Sequence, residues 1–184
     1  MLNSALLSSL AVSLVLAWPG GAPSGACSSL QPGHAHNNLT TRQQADPPVT
    51  LRAKLLKNRQ VRVSLTIKKK REDVERFRGF LVMAEVEGER GHGYFIPNAP
   101  SREVGRTLDC PDLPAGCAAE SGACQGTSNA FTHSSAADKQ SVAAVWTPPS
   151  QLAGQLVFRA TVVGENSKEF SSWWENITSN KVKI

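Results

Sequence analysis

A strict alternation of apolar and polar residues runs through residues 61–67, which have the sequence VRVSLTI. Successive residues of a β-strand point to opposite faces, so this pattern predicts a strand with one buried face and one solvated face. Three further segments have strand composition and are bounded by glycine, proline or charged residues: 80–86, 141–146 and 156–163. No segment sustains the 3.6-residue period of an amphipathic helix. The sequence therefore predicts an all-β fold, an antiparallel β-sandwich of immunoglobulin-like architecture.

Three finer expectations follow from the same patterns. Pro148, Pro149 and Gly154 lie between two predicted strands, so we expect those two strands to be neighbours in one sheet. Residues 108–138 show no periodicity and are expected to form a long loop. Trp173 and Trp174 are adjacent, so one of them should face outward if they lie in a strand.

The N-terminal residues predict the compartment. Residues 6–17 form an apolar run too short to cross a bilayer, and the breaker sequence Trp18-Pro19-Gly20-Gly21 follows. We expect residues 1–17 to be a signal peptide and residues 18–184 to be a single domain, and a buried N-terminal strand is the alternative. Later segments do not resemble a membrane span, so the mature protein should be secreted and extracellular, without a transmembrane segment.

Four cysteines, Cys27, Cys110, Cys117 and Cys124, form an even set. In an oxidising compartment they indicate two disulfides with three possible connectivities. The short loop between Cys117 and Cys124 favours pairing those two, which leaves Cys27 with Cys110. A zinc site is the alternative, but the spacings do not fit a zinc knuckle.

Two sequons, at Asn38 and Asn176, indicate a glycoprotein. Asn38 lies in the polar stretch 31–48, which is expected to be an exposed loop. Asn176 follows two tryptophans and is expected to be the weaker site because it could lie in a strand.

Motifs typical of catalysis are absent from the sequence, so we expect a protein that is not an enzyme and has no cofactor. His133 lies between two hydroxyl residues and could be considered as a base, but a structural role is the more common one for such a residue. His34, His36 and His92 could bind a metal, although histidines in a polar segment are usually solvated, and no metal site is predicted.

Positive charge offers the best functional lead. The net charge is +5, and a basic run at residues 68–71 follows a predicted strand. We predict a polyanion-binding site formed by Lys68, Lys69, Lys70, Arg71 and Arg76. Further cations precede and follow this run: Arg52, Lys54, Lys57, Arg59, Arg62 and Arg78. Outside the cell the partner would be a sulfated glycan, lipopolysaccharide or anionic lipid, whereas nucleic acid does not fit the compartment. The alternative is a solvated hairpin tip without a function.

Several segments together resemble the reeler domain family. They are 21–27 with 32–34, 77–84, 108–110, 132–135, 145–149 and 157–163. The resemblance implies an immunoglobulin-like sandwich, a disulfide between Cys27 and Cys110, and no catalysis within the module. In architecture the chain is similar to stand-alone secreted defence proteins of invertebrates. The Cys117 to Cys124 loop and the basic run depart from the family pattern.

The sequence therefore predicts a secreted, non-catalytic recognition protein of innate immune defence that binds microbial or host polyanions, with antimicrobial activity as one form of that role. The alternative is an extracellular-matrix or adhesion module that binds a protein partner.

Overall fold

The computed structural model describes residues 20–32, 40–68, 76–111, 128–165 and 171–184. Several predicted features lie outside these ranges: the signal peptide, Asn38, Lys69, Lys70, Arg71, Cys117 and Cys124. They remain predictions.

The described chain is built from short strands. In order they are β1 (Thr40–Arg42), β2 (Val49–Leu55), β3 (Val61–Ile67), β4 (Gly79–Val86), β5 (Glu89–Arg90), β6 (Tyr94–Pro97), β7 (Gly105–Leu108), β8 (Ala130–His133), β9 (Ser141–Thr147), β10 (Gln155–Glu165), β11 (Ser171–Thr178) and β12 (Val182–Lys183). Helical structure in the described ranges is limited to α1 (Ala26–Ser29) and 3₁₀ turns at Lys57–Arg59 and Ala99–Glu103.

These strands form two sheets. The larger sheet has the order β1-β11-β10-β4-β8-β7, with β12 added to β10 and β5 added to β4. The smaller sheet has the order β2-β3-β9-β6. Neighbouring strands are antiparallel except β1, which pairs with β11 in parallel. The prediction of an all-β antiparallel sandwich is confirmed.

The main core lies between the two sheets. On β3 the alternation predicted from the sequence is present, because Val61, Val63 and Leu65 are buried while Arg62 and Thr66 are exposed. Across the core the Trp146 and Phe158 rings meet edge to face with centroids 5.8 Å apart. Their strands, β9 and β10, belong to different sheets, so the prediction that they are sheet neighbours is wrong. The connection with two prolines carries the chain from one sheet to the other.

The strand β8 lies within the segment 108–138 that was predicted to be a loop. This part of the prediction is wrong, because Ala130–His133 pairs with both β4 and β7 and all four of its residues are buried. A strand of four residues that is buried on both faces shows no polar alternation, so periodicity does not reveal it.

The outer face of the larger sheet is covered by the N-terminal residues. The short helix α1 packs on this face, and a disulfide joins Cys27 to Cys110, which follows the end of β7. Buried residues of a second, smaller core lie between them: Ala26, Leu30, Leu81, Met83, Leu108 and Ala130. The arm is therefore an integral layer of the fold, and the pairing is the one that the resemblance implied.

The adjacent tryptophans on β11 are both buried, Trp173 to 5% exposure and Trp174 to 4%. Trp174 belongs to the main core, whereas Trp173 does not. The expectation that one of them faces solvent is wrong, because both faces of the larger sheet carry packed side chains. Among the described residues, no helix is long and apolar enough to cross a membrane.

Candidate functional site

The two described ends of the basic run lie at the same end of the sandwich. At the end of β3, the backbone N–H of Ile67 donates to the Gln140 carbonyl oxygen at 3.0 Å. Where the described chain resumes, Phe77 and Lys139 exchange two backbone hydrogen bonds of 2.9 and 2.8 Å. Ile67 and Phe77 are thus bonded to the consecutive residues Gln140 and Lys139. Their neighbours Lys68 and Arg76 are therefore brought to the same edge. Lys69, Lys70 and Arg71 lie between them in sequence, outside the described ranges.

Arg76 and Arg78 share one carboxylate at this edge. The guanidinium of Arg78 donates to one oxygen of Asp138 at 2.9 Å, and that of Arg76 donates to the other at 3.1 Å. The hydrogen bond from Arg78 is the main cause that lowers the pKa of Asp138, which therefore stays ionised. Arg76 is thus held in place by Asp138 as well as available at the surface.

Lys139 anchors the same edge from inside. Its ammonium is buried and donates to the carbonyl oxygens of Arg78, Ser135 and Ala137, each at 2.6 Å. Burial lowers the pKa of Lys139 to about 8. Because the Lys139 ammonium bonds the β8–β9 connection to the Arg78 carbonyl oxygen, it fixes the backbone that follows the basic run. This role could not be predicted from the sequence, since a single lysine in a loop is ordinarily solvated.

A second positive region covers the outer face of the smaller sheet. Arg52 and Lys54 on β2 and Arg62 on β3 are exposed, and the four strands of this sheet contain no aspartate or glutamate. On the larger sheet, in contrast, Arg159 is bonded to Glu85 at 2.6 and 2.9 Å, and Arg42 is paired with Glu175. Among the described strands, those of the smaller sheet therefore present cations without any carboxylate, whereas those of the larger sheet carry both. These three residues precede the basic run in the sequence and were not among the residues predicted to form the polyanion site.

A small apolar cavity of about 40 Å³, partly open to solvent, lies under the N-terminal arm. Its walls include Ala22, Ala26, Leu30, Leu81 and Val163. The polar groups at its wall are engaged with the backbone: Thr161 donates to the Leu30 carbonyl oxygen at 2.6 Å, and His133 Nδ1 accepts from the Phe80 N–H at 3.2 Å.

The residues considered for catalysis and metal binding have structural contacts. The Thr132 hydroxyl beside His133 donates to the Phe80 carbonyl oxygen at 2.7 Å. The carbonyl oxygen of His92 accepts from the Trp146 indole at 2.8 Å. In the ranges that the structure describes, no three His, Cys, Asp or Glu side chains are grouped as metal ligands. His34 and His36 lie outside these ranges.

The sequon residue Asn176 lies in β11, at an irregularity opposite β10. The register shifts between Ala160 and Val162, and Asn176 has a φ of 58°, a left-handed conformation that asparagine tolerates. Asn176 and Thr178 are both exposed. Although it is in a strand, as the sequence suggested it could be, this sequon is on the surface.

Comparisons with known proteins agree with this architecture. The family model described as Reeler domain matches residues 25–184. "Putative defense protein 1" of Antheraea mylitta is 33% identical over 178 residues, which cover 95% of this chain and 91% of that protein. "Putative defense protein Hdd11" of Hyphantria cunea is 31% identical, covering 95% and 94% of the two chains.

One solved structure of similar fold is the human F-spondin reeler domain (fragment 1), with a TM-score of 0.51 and 17% identity. The match covers 81% of this chain and 97% of that one. At this identity the likeness shows the fold alone. The resemblance found in the sequence is confirmed.

Proposed function

The chain belongs to the Reeler domain family, and on that premise we propose that it is a secreted, non-catalytic recognition protein of innate defence that binds microbial or host polyanions. The defence role is supported by relatives that are named as defence proteins and that match over nearly the whole of both chains. Secretion is supported by the apolar run at residues 6–17 and by a disulfide between Cys27 and Cys110.

The observation that carries the binding proposal is the arrangement of charge at the edge where the basic run begins and ends. Lys68 is exposed, and Arg76 and Arg78 both bond the carboxylate of Asp138 at the surface. The intervening stretch contributes Lys69, Lys70 and Arg71 and, after them, Glu72, Asp73 and Glu75, so residues 68–78 hold six Lys or Arg side chains against three Asp or Glu. An excess of cations anchored at one edge of a rigid sandwich attracts a ligand that carries several negative charges.

The preorganisation of this edge supports the same proposal. Asp138 holds the side chains of Arg76 and Arg78, while Lys139 fixes the backbone of Phe77 and Arg78. Side chains that are already positioned lose less conformational entropy on binding. The attraction between these cations and an anionic ligand is mainly electrostatic. Binding should therefore weaken as salt shortens the Debye length, which is about 8 Å at physiological ionic strength.

The test compares three proteins on immobilised heparin and immobilised lipopolysaccharide. They are the wild type, a variant with Lys68, Lys69, Lys70 and Arg71 changed to Ser, and a control with Lys57, Lys168, Lys181 and Lys183 changed to Ser. The two variants lose the same charge. We expect the first variant to elute at clearly lower salt than the control on at least one of the two matrices, with circular dichroism showing that both are folded.

Equal elution of the two variants would show that the run is a solvated hairpin tip. Absence of retention of the wild type on both matrices at low salt would contradict polyanion binding and would direct attention to a protein partner in the extracellular matrix.

A further inference from the structure

The outer face of the smaller sheet combines unpaired positive charge with exposed apolar surface. Across the sheet, one row of directly paired residues runs from Lys54 on β2 through Arg62 on β3 and Val145 on β9 to Ile96 on β6. Because paired residues share a face, this row places two cations at one end and two aliphatic side chains at the other. Ile96 is one of two large apolar side chains that are more than a third exposed in the described structure, at 41%.

The two cations of this row are a like-charge pair. Lys54 and Arg62 are directly opposite each other in the antiparallel ladder, an arrangement that costs stability when both residues carry the same charge. Arg52 lies two residues from Lys54 on the same face, at a spacing of about 7 Å along the strand. No carboxylate in this sheet offsets them, and none of the three has an ion pair with another described residue. A cluster of three cations that lowers stability and has no carboxylate to offset it suggests a ligand of opposite charge.

The shape of the face indicates what kind of anionic partner it fits. Four strands give a surface about 14 Å wide, and β3 gives it a length of about 20 Å. Asn180 flanks the cations at the edge of β2, in a shallow depression that Arg52, Lys54 and Arg62 also line. Tyr94 on β6 lies next to the Ile96 end of the face, and a tyrosine ring with its hydroxyl is suited to the boundary between water and hydrocarbon.

We propose that this face, defined by Arg52, Lys54, Arg62, Val145, Ile96 and Tyr94, binds the surface of an anionic lipid bilayer. The cations would lie at the phosphate level, while Ile96 and Tyr94 enter the headgroup region. The inference rests on the proposed function, since it names one class of polyanion and the surface that receives it. A second copy of the chain is a less suitable occupant, because a symmetric contact would place the same three cations against each other.

The experiment measures co-sedimentation with vesicles of phosphatidylcholine alone and of phosphatidylcholine mixed with phosphatidylglycerol. We expect the wild type to bind the mixed vesicles at low salt and not the neutral ones. Each Lys or Arg near an anionic surface contributes about a fivefold increase in partitioning, so the triple variant R52S/K54S/R62S should bind at least tenfold more weakly. Circular dichroism must show that this variant is folded.

Two matched pairs of variants separate a lipid surface from other ligands. The double variant Arg52→Lys with Arg62→Lys keeps the charge but loses the planar guanidinium groups. Because an anionic lipid surface attracts the charge alone, vesicle binding by this variant should remain within about twofold of the wild type. Ile96→Ser should weaken vesicle binding several-fold. Leu55→Ser removes the other large exposed apolar side chain, which is 48% exposed. By alternation along β2, Leu55 is not on the face of Arg52 and Lys54, so this change should not affect vesicle binding.

Several outcomes would overturn the proposal. Vesicle binding by the triple variant equal to that of the wild type would exclude this face. Binding of dextran sulfate through the same three cations without vesicle binding would assign the face to a sulfated glycan, and concentration-dependent dimerisation lost in the triple variant would assign it to a second copy. In the first two cases retention on lipopolysaccharide or heparin through residues 68–71 can persist, so failure of the lipid proposal is distinguishable from failure of the proposed function.

Discussion

The side-chain amide of Asn180 pairs with both backbone groups of Ala53 on the outer edge of β2. Its oxygen accepts from the Ala53 N–H at 3.0 Å, and its nitrogen donates to the Ala53 carbonyl oxygen at 2.9 Å. The amide thus occupies the place that a further strand would take, in the middle of an edge strand of seven residues. Unpaired strand edges are sites of association, so this contact protects the edge as well as joining the C-terminal residues to the smaller sheet.

Asn180→Ala should therefore reduce stability and expose the edge of β2. The loss of two hydrogen bonds is expected to lower the free energy of unfolding by about 1–2 kcal/mol, as measured by urea denaturation. Size-exclusion chromatography at increasing concentration should show self-association that the wild type lacks. Asn98→Ala, which removes another asparagine side chain but leaves this edge covered, should not promote association. A monomeric Asn180→Ala protein of unchanged stability would contradict this account of the edge.

The disulfide between Cys27 and Cys110 closes a loop with a sequence separation of 83 residues. In the chain-entropy model such a loop makes the bond worth about 4 kcal/mol, so Cys27→Ser should lower the melting temperature by roughly 10 °C. Cys117→Ser should have a smaller effect, because the loop to Cys124 is short. Differential scanning calorimetry of both variants checks this. Peptide mapping of the wild type that joined Cys27 to Cys117 or Cys124 would refute the pairing.

The buried Lys139 predicts a specific dependence of stability on pH. Burial lowers its pKa from 10.5 to about 8, so between these values the unfolded chain binds more protons than the folded protein. The free energy of unfolding should therefore rise with pH across this window, by an amount on the order of 3 kcal/mol from this group. Lys139→Met should lack the increment. Parallel slopes for the two proteins between about pH 8 and pH 10.5 would show that Lys139 does not titrate there.

Export and glycosylation are tested on protein from a eukaryotic secretory host. N-terminal sequencing should find a start at or near Trp18, and intact mass should show glycan at Asn38 and, given its exposed position, at Asn176. Asn38→Gln and Asn176→Gln identify each site, since each should remove one glycan mass. A cytosolic product that retains Met1 would contradict secretion.

The sequence predicted those parts of the fold whose pattern is local. The alternation in residues 61–67 and the apolar segments of β4, β9 and β10 identified four strands, because one face or both faces of each are plainly apolar. The strand β8 was missed, since a strand of four residues buried on both faces has no contrast to detect. The partnership of β9 and β10 was mistaken because proline and glycine show where a strand ends but not which sheet the next strand joins.

The site was harder to predict than the fold. A run of lysines is visible in the sequence, whereas the bridge from Asp138 to Arg76 and Arg78 joins residues about sixty positions apart and depends on the pairing of Phe77 with Lys139. The pairing of Lys54 with Arg62 requires the register of β2 on β3. The strand β2 was also not among the predicted strands, so the sequence did not place Lys54 on the same face as Arg62.

The most direct test of the central claim, that this chain recognises polyanions through its basic surfaces, is the dissociation constant for lipopolysaccharide measured by isothermal titration calorimetry at several salt concentrations. We predict saturable binding at low salt that weakens progressively as ionic strength rises, with a shallower salt dependence for the variant lacking the charges of Lys68, Lys69, Lys70 and Arg71. Binding that is absent at low salt, or affinity that does not change with salt, would contradict the account.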